Sequence, residues 1–66
     1  MPQYPEIILR YEGDPNQLIT LIGRTQSEMR KAGVAIDERN RFGAEALTAF
    51  EPDEILDVCR RWVTVE

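Results

Sequence analysis

Three kinds of side chain in this 66-residue chain could take part in a reaction: one thiol, a cluster of carboxylates, and a set of basic groups. The thiol is Cys59, followed by Arg60 and Arg61, and nearby positive charge can draw a thiol toward its nucleophilic thiolate. On a helix, however, consecutive residues point apart. Cys59 shares a stripe with Ile55 and Trp62, which reads as packing in a core. The carboxylates Asp53, Glu54 and Asp57 could pair as acid and base, and Glu51 adds negative charge before Pro52. They surround Pro52 at the start of an expected helix, where the helix dipole favours negative charge without any catalytic role. The chain has no histidine, so the commonest general base is missing, and a single thiol cannot build a zinc site. Gly13, Gly23, Gly33 and Gly43 stand singly, outside any glycine-rich turn that would cradle a phosphate. The expectation is a non-enzymatic protein without metal or cofactor.

The basic residues point to a second kind of chemistry, recognition of nucleic acid. Arg24, Arg30 and Lys31 supply part of a basic face on one helix, with Arg39 and Arg41 beyond it. Glu28 interrupts that face, and from Phe42 onward only Arg60 and Arg61 oppose Glu45, Glu51, Asp53, Glu54, Asp57 and Glu66. A net charge of −4 with an acidic second half disfavours nucleic acid and permits attraction to a basic partner.

Length sets the scale of the fold. Sixty-six residues make one domain, residues 1–66, whose core supplies only about 3–5 kcal/mol. A lone cysteine rules out a disulfide within the chain and suits a reducing compartment. Met1 to Pro5 carries two prolines and no basic residue, unlike a secretory leader. The longest apolar run, Ala32 to Ile36, falls far short of the roughly 18 residues a membrane span needs. A soluble, cytoplasmic protein is expected, with no membrane contact.

Residues 5–11 read as a strand, because Ile7, Leu9 and Tyr11 alternate with Ile8 and Arg10. The clearest signal follows, between Glu12 and Val34. Asp14 and Pro15 open a helix as cap and first residue, with Gln17 in the capping-box position. Gly33 and Val34 close it. Leu18, Leu21, Ile22, Thr25, Met29 and Ala32 form its apolar stripe, and Gly23 inside it suggests close approach of another backbone. A second helix runs from Ala35 or Ile36 to about Ala49, with Ile36, Gly43, Leu47 and Phe50 on one line and Phe42 and Ala46 beside it. A third follows Pro52 with Ile55, Leu56, Cys59 and Trp62 inward, and Val63 to Val65 end the chain as a short strand. The expected fold is a small α+β domain in strand–helix–helix–helix–strand order. Its terminal strands pair antiparallel, the helices cover one face, and free edges remain for a second copy.

Gly23, Met29-Arg30, Ala32-Gly33-Val34, Phe42, Ala44-Glu45-Ala46, Asp53, Leu56 and Arg61-Trp62-Val63 occur in an order that resembles a group of short uncharacterised bacterial and phage or prophage proteins. The chain departs from that pattern at Asn16-Gln17-Leu18-Ile19 and at Phe50-Glu51-Pro52. The matching positions are those of core and caps, so the resemblance implies a fold and a phage or mobile-element association but no reaction. The leading expectation is a protein-interaction module that occludes or adapts a larger partner. Its interaction candidates are Arg24, Arg30 and Lys31 on a basic side and Glu51, Asp53, Glu54 and Asp57 on an acidic side. The rivals are a nucleic-acid-associated regulator using the first helix, an acidic mimic of a nucleic-acid backbone, and a structural homodimer.

Overall fold

Apolar residues at alternate positions give the first strand its inner side. In the computed structural model, which describes residues 1–66, β1 spans Tyr4–Leu9. Ile7 and Leu9 are buried and Tyr11 packs on the same core, while Glu6, Ile8 and Arg10 are exposed, as a period of two requires.

Asp14 then caps the next element. Its carboxylate accepts the Asn16 N–H at 2.9 Å, and Pro15 occupies the first position of a 3-10 turn, Pro15–Gln17. The expected capping box does not form: the Gln17 side chain makes no capping bond, and only its backbone N–H donates to the Asp14 carbonyl, at 2.9 Å. Helix α1 follows as Leu18–Lys31. At its end Gly33 adopts φ +85°, the Val34 N–H reaches the Met29 carbonyl at 2.9 Å, and the Gly33 N–H reaches the Arg30 carbonyl at 3.1 Å. This pair of bonds is the Schellman stop that glycine permits, and Val34 folds back onto the core. Leu18, Leu21, Thr25 and Met29 are buried; Ala32, placed on the stripe by spacing, is exposed. The Thr25 hydroxyl donates to the Leu21 carbonyl at 2.7 Å, so this buried polar group is satisfied.

Gly23 corrects an expectation. A methyl there would meet nothing within 4 Å, so no backbone approaches it. The close approach lies at Gly43 instead, where a methyl would run into the side-chain amide of Gln26. Gly23→Ala should therefore stabilise the protein by about 1 kcal/mol, read as a higher urea midpoint at unchanged slope. A lower midpoint would show that the glycine is needed where it stands.

Helix α2 spans Ile36–Leu47, and its inner face is not the line of largest apolar residues. Phe42, Gly43 and Ala46 are buried, whereas Ile36 is 60% exposed, Leu47 79% and Phe50, just beyond the helix, 94%. Phe42 fills the interior alone on this face, next to small residues that let α1 come near. Helix α3 spans Pro52–Trp62, with Glu51 as an extended N-cap residue and Pro52 in the first turn. It buries Val58, Cys59 and Trp62 and half-buries Ile55 and Leu56, so Val58 belongs to a face from which spacing had omitted it.

The chain passes from Trp62 directly into β2, Val63–Val65. The two strands pair parallel, with Tyr4 beside Val63, Ile8 beside Thr64 and Leu9 beside Val65, and an irregularity between Tyr4 and Ile8. This overturns the expected antiparallel pairing; the α+β class and the element order stand. The reason lies in the connection. Antiparallel neighbours suit a short hairpin, whereas parallel ones need a crossover of a dozen residues or more. Residues 10–62 form such a crossover, and the three helices return the chain to the Tyr4 end of β1 before β2 begins. The Glu66 N–H then donates to the Leu9 carbonyl at 2.8 Å, and the Tyr11 N–H to the Glu66 carbonyl at 2.9 Å.

Candidate functional site

The corner where α2 hands over to α3 collects the most distinctive surface chemistry. Thr48 ends α2: its hydroxyl donates to the Glu45 carbonyl at 2.8 Å and its N–H to the Ala44 carbonyl at 3.2 Å. Two residues later the Phe50 N–H donates to the Glu54 carboxylate at 3.1 Å. Glu54 is the third residue of α3, so this bond is a capping-box contact moved out by one position. It holds the backbone of Phe50, whose side chain, like that of Leu47, is exposed to solvent.

Next to these side chains an open groove of about 690 Å³ runs between α2 and α3. Glu45, Glu54 and Asp57 supply carboxylates to its lining, and Arg60 and Arg61 supply the opposite charge farther along α3. Of the acidic candidates read from sequence, Glu54 and Asp57 line the groove, and Glu51 and Asp53 stand exposed in and before the first turn of α3. Glu45, absent from that set, has a second partner: its Oε2 accepts the Trp62 indole N–H at 2.8 Å. Trp62 is buried, stacks on Tyr4 with centroids 6.3 Å apart, and meets the Phe42 ring edge-on at 6.0 Å. The Arg41 guanidinium lies 5.8 Å from the indole centre. One indole thus ties β1, α2 and α3 together directly beneath the acidic corner.

Arg24 reaches across to the Arg10 carbonyl at 3.4 Å, Lys31 pairs with Glu28 at 3.3 Å, and Arg30 stands exposed in the last turn of α1. Arg41 is exposed and pairs with Glu38 at 3.3 Å, and the Arg39 Nε is buried without a hydrogen-bond partner. These exposed pairs contribute little to stability.

Cys59 is buried, and burial pushes its thiol above the ordinary range, opposed in smaller measure by hydrogen bonding with Thr25 and its own backbone. Arg60 and Arg61 are exposed on other sides of α3. The thiol therefore behaves as a small apolar core group. No helix is long and apolar enough to cross a membrane. Phe50 and Leu47 were missed as surface features because large apolar residues at near-helical spacing look like core; the departure of Phe50 from the helix, two residues before Pro52, was the available signal. No family model, curated protein or solved structure matches this chain.

Proposed function

We propose that this chain is a small, non-enzymatic protein-interaction module of the cytoplasm that binds a larger partner through its α2–α3 corner. The observation that carries this reading is Phe50, whose ring is 94% exposed although its backbone is held in place. An exposed aromatic side chain on a hydrogen-bonded stretch of backbone can fill a pocket in the manner of an interface anchor. Leu47 widens the apolar contact, and Glu51, Asp53, Glu54 and Asp57 surround it with negative charge. A complementary partner presents an apolar pocket bordered by lysine or arginine. The single buried thiol suits a reducing compartment and leaves no activated nucleophile.

Phe50→Ser should leave the fold intact, because the ring touches solvent, and should weaken partner binding about 30-fold, as expected of an anchor residue. The measurement is retention of one specific host protein by the immobilised chain, compared between the wild type, Phe50→Ser and an Ile19→Ser control on α1. Ile19 is also exposed, so loss of binding in both variants would indicate mere stickiness. Retention of nothing beyond background, or binding indifferent to Phe50, would contradict the proposal.

A further inference from the structure

The outer edge of β1 carries a self-complementary register, and we propose that two copies of this chain pair through it, antiparallel about Ile8, into a four-stranded sheet. Backbone direction comes first. Leu9 and Tyr11 spend their backbone groups on Glu66 of β2, and the Pro5 carbonyl accepts the Thr64 hydroxyl at 2.8 Å. Leu9 and Tyr11 thus face β2, and strand alternation turns Ile8 and Arg10 to the opposite edge, while Glu6 lies in the irregular stretch between Tyr4 and Ile8. The Arg10 carbonyl accepts the Arg24 guanidinium of α1 at 3.4 Å, a long exposed bond that a partner strand's N–H would replace. Pro5, a residue that often guards an edge, has its missing N–H on the β2 side, at the irregular part of the ladder, and leaves the outer edge unguarded.

Charge and shape then select the occupant. In an antiparallel pair centred on Ile8, Ile8 lies opposite the partner's Ile8, and Glu6 lies opposite the partner's Arg10. Symmetry repeats the second pair, so two opposite charges flank one apolar contact on the outer face. Ile8 at the centre has its backbone groups directed at the partner, as a hydrogen-bonded antiparallel pair requires. Glu6, Ile8 and Arg10 are exposed in the single chain, Ile8 by 57%, and an open groove separates Glu6 and Ile8 from Glu28, Lys31 and Ala32 of α1. A two-stranded sheet is marginal by itself, and doubling it answers that deficit. The inference stands apart from the α2–α3 corner.

The test is the mass of the full chain by sedimentation equilibrium over rising concentration, with folding checked by circular dichroism. The wild type is expected to move from one chain to two. Glu6→Arg and Arg10→Glu alone each place like charges opposite one another twice, and should each weaken the dimer roughly tenfold. The double variant, Glu6→Arg with Arg10→Glu, should restore wild-type association. Ile8→Pro removes an outward N–H, and should leave a folded monomer. A wild type of one-chain mass up to its solubility limit overturns the proposal. So does a dimer that ignores the charge exchange.

Discussion

Trp62→Ala is expected to leave the chain largely unfolded at room temperature. Replacing a buried tryptophan by alanine costs about 3–5 kcal/mol, which equals the whole stability expected of a domain this small. The loss is concentrated here because the indole serves three elements at once, through Tyr4 of β1, Phe42 of α2 and the hydrogen bond to Glu45. Trp62→Phe keeps most of the apolar volume and strips the Glu45 carboxylate of its indole donor, so it should cost far less, about 1–2 kcal/mol. Urea unfolding followed by far-ultraviolet circular dichroism separates the two. Equal midpoints for Trp62→Ala and the wild type would show that the indole does not hold the elements together.

A chain ending at Trp62 should lose its cooperative transition altogether. The four residues removed, Val63 to Glu66, include fully buried Val63, the Thr64 hydroxyl bound to Pro5, and the Glu66 backbone groups bound to Leu9 and Tyr11. Burying one valine contributes about 1.5–3 kcal/mol and each backbone bond about 0.5–1.5. Beyond that sum, β1 would have no strand partner, and Ile7 and Leu9 would lose the neighbour that closes their side of the core. A thermal melt of the shortened chain that kept a sharp transition would contradict this.

The first helix could be read from its ends because its caps are local chemistry. Asp14, Pro15, Gly33 and Val34 each do what their side chains and backbone freedom allow, whatever packs against the helix. The second helix was misread because spacing alone does not distinguish a core stripe from an exposed one. Ile36, Leu47 and Phe50 supply more apolar surface than Phe42, Gly43 and Ala46, yet the small residues face inward where α1 needs room. Strand direction was equally hidden. Nothing in Tyr4–Leu9 or Val63–Val65 encodes it; the path of the three intervening helices does. At the candidate site the carboxylates before and within α3 were legible as helix-start chemistry. The partnership of Glu45 with Trp62 was not, since it joins residues on different helices, and the exposure of Phe50 was concealed by its apolar character.

Parallel alignment of the two terminal strands underlies both the position of Trp62 beside Tyr4 and the outward direction of Ile8 and Arg10. Scalar couplings across backbone hydrogen bonds, measured by nuclear magnetic resonance on the labelled chain, test it directly. The expected result is one coupling from the Glu66 amide to the Leu9 carbonyl and another from the Tyr11 amide to the Glu66 carbonyl. Couplings linking Glu66 with the Tyr4 end of β1, and Val63 with its Leu9 end, would mean that the strands run in opposite directions, and would contradict the fold and the dimer register together.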